Sequence, residues 1–300
     1  MPDSLDWPLE AARQNDPSNR WSHPGSNICL DFHGDPITAE LVVFSDGNHH
    51  MALQTCLQEF RTQHPEVKDI FYATTPPGAV VSLLRHRHLV LGNLTLSRLP
   101  HVFISPLDIM QKLQADNFIS SHRAFMQSQG NVLLIRKHNP KNIQGIPDLL
   151  RDEVRLFISS PTTEKASYEV YKATFLGLAK DQGIAGDAVE SLLANTEGRV
   201  LFGSSIHHRE APQALYEGAA DVAIVYYHLA LRYSRIFADH FDFIPLGGSK
   251  DQPQPSPDNV TTTYYIGFVG DGGQWGRQFI DFMLSDTVTR LYREHGLRRA

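Results

Sequence analysis

An α/β fold built on a mostly parallel sheet is what this sequence predicts, and three observations carry it. From Glu40 onward, short apolar runs of strand type alternate with amphipathic stretches of helical spacing. A small polar turn separates each run from the helix that follows, the rhythm of strand–helix–strand units. The 300 residues, 41% hydrophobic and 20% charged, suffice for one large domain or two lobes with a sizeable core.

The elements follow in order. LVVF (41–44) is a continuous apolar run of the buried-strand type, broken by Ser45, Asp46, Gly47 and Asn48. Asn48 stands where a helix N-cap belongs, and Met51, Ala52, Thr55, Cys56 and Phe60 follow at helical spacing. A helix that starts at the carboxyl end of a buried parallel strand presents unpaired N–H groups and partial positive charge, a ready site for an anion. DIFYA then precedes the helical AVVSLLRH, with Thr74-Thr75-Pro76-Pro77-Gly78 between them. HVFIS ends in Ser105-Pro106 before the helical LDIMQKLQADN, and NVLLIRK reads as a further strand. VRLFISS ends in Ser159-Ser160-Pro161-Thr162-Thr163, and Ala166-Ser167 open the helix SYEVYKATFLGLAKDQ. RVLF leads into Gly203-Ser204-Ser205-Ile206-His207-His208-Arg209-Glu210 and the helical EAPQALYEG. DVAIVYYHLAL reads as one apolar segment with Tyr226-Tyr227 after DVAIV. After FDFIPL, the polar SKDQPQPSPDN reads as a mobile or surface loop; TTTYYIGFV is a strand, and QWGRQFIDFMLS and DTVTRLYREHG close the chain as helices.

Hydroxyl side chains thus recur at the strand ends. Each alone satisfies helix capping. As a set on one side of a sheet they predict a polar ligand crevice at the carboxyl ends of the strands.

The bulk properties exclude several classes. A net charge of −6, an isoelectric point near 6.2 and no basic stripe argue against a nucleic-acid partner. The longest apolar runs are interrupted by Asp221 or His228, so no membrane insertion is expected. The opening stretch, MPDSLDWPLEAARQNDPSNRWSHPGS, has no apolar centre of a signal peptide; the expectation is a mature periplasmic form with a replaced start, with the cytoplasm as the alternative. Cys29 and Cys56 are compatible with one disulfide or with two buried thiols, and Cys56 falls on the apolar face of its helix. No glycine-flanked nucleophilic serine and no phosphate-binding Gly-Lys-Ser/Thr loop occurs, and Gly47 alone makes no dinucleotide fingerprint. Neither an enzyme nor a bound cofactor is expected.

The order of segments carries a resemblance. VVFSDGNHHMAL, ATTPPGAVVSLL, LPHVFISPLD, NVLLIRK, EGAADVAIVYYHLA and FIDFMLSDTVTRLYREHGL follow one another as the phrases of a type II periplasmic solute-binding protein do, and most as in its molybdate/tungstate-binding branch. The resemblance spans residues 39–297. It implies a two-lobed fold of mixed, mostly parallel sheets with helices on both faces, a hinge between the lobes, and a small oxyanion bound between them. It places residues 1–36 in an N-terminal extension, 37–128 and 238–300 in the first lobe, and 129–237 in the second. It implies ligand donors at Asn48, Thr75 or Pro76, Ala166, His208 and Tyr226. It implies a monomer that serves a membrane permease of an ABC transporter or a sensor. The sequence departs from the pattern where Asn48 replaces a serine, His101 replaces an aspartate, His208 takes a valine-like position and PPG replaces a run of serines. These departures bear on the ligand rather than on the architecture.

The chain has 15 histidines, and two pairs stand at expected helix starts: His49-His50 and His207-His208, the latter beside Arg209. One reading has His49, His207, His208 and Arg209 contacting an anion together with Ser105 and Ser167. A second has them hold a metal or metal chelate, with Asp46 or Glu210 as carboxylate ligand. A third leaves them as polar residues at helix starts, with Arg209 paired to Glu210 or Asp46. An enzyme that recruited the same fold is the reading from another class. LDFHGDP, with His33 and Asp35, is expected to strap the extension onto the first lobe.

Overall fold

The computed structural model describes residues 29, 31–194, 198–204 and 206–300. The extension through residue 28, Leu30, and Ser205 of the fifth strand-end turn lie outside the described residues. The described residues divide into two compact units, one formed by Ser128–Thr262 and the other by the described residues up to Gln127 together with Thr263–Ala300.

The elements in chain order are β1 (Phe32–His33), β2 (Leu41–Ser45), α1 (His50–Gln63), β3 (Ile70–Thr74), α2 (Pro77–His86), β4 (Leu89–Leu91), β5 (Leu94–Leu96), β6 (Val102–Pro106), α3 (Leu107–Ala115) and β7 (Ile119–Gln127). Next come β8 (Asn131–Arg136), β9 (Leu156–Ile158), α4 (Lys165–Asp181), α5 (Gly186–Ala194), β10 (Val200–Phe202), α6 (His207–Tyr216), β11 (Val222–Tyr226), α7 (Tyr227–Ile236) and β12 (Phe241–Pro245). The chain ends with β13 (Thr263–Val269), α8 (Gly276–Met283), α9 (Asp286–Glu294) and β14 (Arg298–Arg299).

The sheet of the first unit runs β1-β3-β2-β6-β13-β7-β14, and that of the second runs β10-β9-β11-β8-β12. In each sheet three neighbouring strands are parallel, β3-β2-β6 and β10-β9-β11, and the flanking pairs are antiparallel. The parallel strands read as continuous apolar runs because both their faces are covered. In β2, Leu41 and Val43 pack with Leu53, Phe60 and Phe279, while Val42 and Phe44 pack with Phe71, Leu83 and Phe103. β1 straps onto β3, Phe32 opposite Ala73, and its ring lies 6.1 Å from that of Phe44. Both cysteines are free thiols, and Cys56 is buried in the core.

The structure corrects the reading in several places. Residues 238–262 belong with the second unit, because β12 pairs with β8 along its length. DVAIVYYHLAL is two elements, since the strand ends at Tyr226 and α7 begins at Tyr227. β7, a half-exposed strand with few apolar residues, is held by its backbone ladder to β13 and carries no apolar run to betray it. The hairpin β4–β5 turns at Gly92, whose φ of +64° suits a glycine. The loop after β12 is anchored rather than a free excursion. Its Asn259 is buried; Oδ1 accepts from the Asn131 N–H at 2.7 Å, and the amide donates to the carbonyls of Asn131 at 3.0 Å and Leu246 at 2.9 Å. Asn259→Ala strands those groups and is expected to lower stability by about 3 kcal/mol in urea denaturation.

Candidate functional site

The first unit gathers its candidate residues through strand register. Ser45 of β2 stands opposite Thr74 of β3 on one flank and Ile104 of β6 on the other. One residue further on, Thr75, Asp46 and Ser105 stand level at the carboxyl ends. Thr75 and Ser105 are 1% and 0% exposed, and neither hydroxyl has a hydrogen-bond partner among the described residues. A buried hydroxyl left unpaired costs about 1–3 kcal/mol, so two flanking the end of β2, one on each side, mark a place where partners are expected. Each is followed by a proline that caps a helix without a side-chain bond: Pro76 for α2 and Pro106 for α3. The N–H groups at those helix starts face the same end of the sheet. A Cβ added at Gly78, in the first turn of α2, would meet nothing within 4 Å.

Asn48 and His49 differ from expectation. Asn48 does not cap α1. Asp46 caps a short 3-10 turn, Gly47–His49, by accepting from the Asn48 N–H at 2.8 Å, and α1 begins only at His50. Asp46 is buried, and that burial pushes its carboxyl up to about 6; the Asn48 hydrogen bonds oppose the shift and Asp108 adds to it. His49 turns inward and is 0% exposed. Its Nε2 lies 3.0 Å from Ser45 Oγ and its Nδ1 2.9 Å from the Tyr292 hydroxyl, and its ring packs against Tyr264. Ser45 Oγ donates to the Asp46 carbonyl, so it accepts from Nε2–H, and the Tyr292 hydroxyl donates to Nδ1. Both ring nitrogens are committed inside the unit, which takes His49 out of any anion or metal contact in this conformation.

In the second unit, β9 and β10 run parallel with Ile158 opposite Phe202. Ser159 and Ser160 follow β9, and both are buried. Ser160 Oγ accepts from the N–H groups of Thr162 and Thr163, each at 3.2 Å. Ser159 Oγ lies 3.0 Å from Ser167 Oγ. Ala166, exposed in the first turn of α4, contributes its backbone N–H to that helix start.

The His207-His208-Arg209 stretch is buried rather than exposed at its helix start. The three residues are 1%, 6% and 2% exposed. The His207 ring stacks at 5.5 Å on Phe157 and lies 5.1 Å from Tyr171. Its Nε2 donates to the Ile224 carbonyl at 3.1 Å, and its Nδ1 is buried with no partner among the described residues. Burial pushes the His207 imidazole down to about 4, so it is neutral near pH 7. The His208 carbonyl accepts from the Tyr233 hydroxyl. Glu210 accepts from the Ser204 N–H at 2.7 Å and from its hydroxyl. The Tyr226 hydroxyl lies 3.0 Å from Thr262 Oγ1, and its ring stacks on His228.

His207 gives a pH prediction. Its folded-state pKa lies below the unfolded value near 6.5, so the unfolded chain binds more protons between pH 6.5 and about 4. The contribution is complete above pH 6.5 and is lost as pH falls through that window. His207→Phe is expected to flatten the acid limb of stability, followed by urea midpoints, by on the order of 3 kcal/mol.

Sequence reasoning missed two participants. Glu164, the N-cap residue of α4, puts its carboxylate on a different helix, accepting from the His207 N–H at 2.8 Å. Tyr171 is fully buried, and that burial pushes its hydroxyl pKa up, opposed by a backbone hydrogen bond from Tyr226. An acid just ahead of a helix signals a cap, but spacing does not say which helix it caps. Among the described residues no group of three or more His, Cys, Asp and Glu side chains is placed to hold a metal ion. Nor is any helix long and apolar enough to cross a membrane.

Against known proteins, the family profile described as bacterial extracellular solute-binding protein matches residues 41–298. No curated protein matches the chain. Among solved structures, the periplasmic molybdate-binding protein of Azotobacter vinelandii is similar at 15% identity and a TM-score of 0.58, over 86% of this chain and 98% of that one. The sulfate-binding protein SubI of Mycobacterium tuberculosis H37Rv is similar at 16% identity and a TM-score of 0.60, over 87% of this chain and 86% of that one. PEB3 of Campylobacter jejuni, in its L-phospholactate-bound structure, is similar at 14% identity and a TM-score of 0.60, over 87% of this chain and all of that one. At these identities the likeness establishes a shared fold.

Proposed function

The chain belongs to the bacterial extracellular solute-binding proteins, and from that premise we propose that it binds a small oxyanion, of the size of molybdate or tungstate, for an ABC-type uptake system. The observation that carries the oxyanion reading is the pair of buried hydroxyls of Thr75 and Ser105, without partners among the described residues, level at the ends of parallel strands and beside the starts of α2 and α3. Neutral hydroxyl and backbone donors recognise an anion by the number and direction of hydrogen bonds rather than by countercharge. The anionic ligands named for the similar structures, molybdate, sulfate and L-phospholactate, support the same reading. A membrane permease is the expected partner, since solute-binding proteins of this kind deliver to one. The metal reading has lost His49 to the core, and no observation favours it over the oxyanion.

The test is a thermal-shift screen with molybdate, tungstate, sulfate and phosphate. A ligand at a hundred times its Kd stabilises by about 2.7 kcal/mol, which is a rise in Tm of several degrees. No shift with any of these at millimolar concentration contradicts the reading.

A further inference from the structure

We propose that Asp46 is a further ligand-binding residue of the first unit, which meets the anion as a neutral carboxyl, so that each oxyanion bound takes up one proton. The inference rests on the oxyanion reading and deepens it by adding a third donor, and a proton, to the same site.

The geometry lies within the first unit. Along neighbouring parallel strands, alternate side chains share one face of the sheet. Phe44 of β2, Ala73 of β3 and Phe103 of β6 pack in one cluster and so mark one face. Two residues further along each strand, the same face carries Asp46, Thr75 and Ser105. The parallel ladder holds that far: the Thr75 N–H donates to the Ser45 carbonyl at 3.1 Å, and the Asp46 N–H to the Ile104 carbonyl at 3.0 Å. Because β2 lies between β3 and β6, Asp46 is the middle of a row with one hydroxyl on each side. Asp46, Thr75 and Ser105 are 4%, 1% and 0% exposed. Neither hydroxyl has a partner among the described residues, the mark of a row that receives its partner from a ligand. The carboxyl is fixed from behind, where its Oδ1 accepts from the Asn48 N–H at 2.8 Å.

The consequence follows from the chemistry of the groups. An ionised carboxylate only accepts hydrogen bonds, and buried beside an oxyanion it meets like charge where screening is weak. A protonated carboxyl has an O–H to donate, so it joins the two hydroxyls as a third neutral donor. The proton comes from solvent with the anion and returns to solvent on release. Burial already pushes the Asp46 carboxyl up to about 6, within easy reach of protonation near neutral pH. Its surroundings oppose none of this. Asp108, in the first turn of α3, raises it further, and the first turn of α2 opens with Pro77, Gly78 and Ala79, which carry no charge. His49 turns to the opposite face, against Ser45 and Tyr292, and His50 Nδ1 lies 3.0 Å from the Gly47 carbonyl.

The experiment is isothermal titration of wild type, Asp46→Asn and Asp46→Ser with sulfate and molybdate between pH 6 and pH 8, where neither anion titrates. Repeating each titration in buffers of different ionisation enthalpy counts the protons taken up. Asparagine and serine both keep a capping oxygen for the Asn48 N–H and carry no charge. Circular dichroism and thermal unfolding show that each variant is folded, and the serine variant serves if the asparagine one is not. In wild type the expected result is uptake of about one proton per anion at pH 8, with affinity on the order of fiftyfold weaker there than at pH 6. The variants are expected to take up no proton and to bind equally at both pH values, more tightly than wild type at pH 8. A wild type that binds without taking up a proton, or folded variants that keep its pH dependence or bind neither anion, overturn the role of Asp46 and leave the oxyanion reading standing. A wild type that binds neither anion anywhere in this range overturns both.

Discussion

Replacing Thr75 by valine and Ser105 by alanine together is expected to abolish oxyanion-induced stabilisation and to leave the ligand-free chain at least as stable as wild type. Both hydroxyls are buried and make no hydrogen bond among the described residues, so the folded chain bears their desolvation without return. Removing them relieves that cost. Thr75→Val keeps the volume and the β-branched shape, and Ser105→Ala removes one atom from a strand whose backbone ladder to β13 stays intact. If the hydroxyls donate to an anion, each lost charge-assisted bond weakens binding, and the pair is expected to cost about a hundredfold in affinity. Titration calorimetry and urea denaturation of the same samples check both halves. A residue that merely supports the fold would lose stability and affinity together, so opposite signs are the diagnostic outcome.

A large stability effect is also expected at Asp221. Its side chain is fully buried and accepts from the Arg155 N–H at 3.0 Å, from Arg155 Nε and Nη2 at 3.1 Å each, and from Arg136 Nη2 at 3.5 Å. One carboxylate thereby ties the lead into β9 to the start of β11, the two strands that carry Ser159 and Tyr226 at their far ends. Burial pushes the Asp221 carboxyl up, but the Arg155 hydrogen bonds and charge outweigh it and hold the group below the usual carboxylate range. The sign follows. The contribution is present in full above the unfolded value near 3.9 and is lost as pH falls through the lower folded value. Asp221→Ala leaves Arg155 and Arg136 without their shared partner. Both arginines are about a third exposed and regain water, so the expected loss is about 3 kcal/mol, at the lower end of the range for a broken buried pair. Asp221→Asn, which keeps acceptor capacity for the backbone N–H, is expected to lose less. Urea midpoints at pH 7 order the three proteins, and equal midpoints would remove Asp221 from the account.

The parallel strands were the most legible part of the sequence. LVVF, VFIS, LFI and VAIV are apolar on both faces because helices cover both faces, and such runs stand out without any context. The strand-end hydroxyls Thr75 and Ser105 were legible too, since a turn between a buried strand and a helix must lie at the sheet's edge. The histidines were not. His49 and His207 look polar in sequence, yet each ring is surrounded by aromatic side chains and bonds inside its own unit, His49 to Ser45 and Tyr292, His207 to the Ile224 carbonyl. Nothing local to HH distinguishes an imidazole that faces a ligand from one that fills a core. Asn48 misled for a related reason: Asp46, two residues earlier, captured the turn first and shifted the helix start to His50. β7 and the anchored loop at Asn259 escaped notice because backbone pairing and one buried amide hold them, and neither leaves a periodic apolar signal. Glu164 depends on which helix start a side chain can reach, a fact of three-dimensional arrangement alone.

The central claim is that this chain binds one small oxyanion through neutral donors that include Thr75 and Ser105. Native mass spectrometry tests it most directly, with wild type and the Thr75→Val, Ser105→Ala double variant each offered molybdate, tungstate, sulfate and phosphate in turn. The account predicts a wild-type ion heavier by one oxyanion and a double variant that stays at its ligand-free mass under the same conditions. A wild type that remains at its ligand-free mass with every anion, or a double variant that retains the same bound mass, would contradict it.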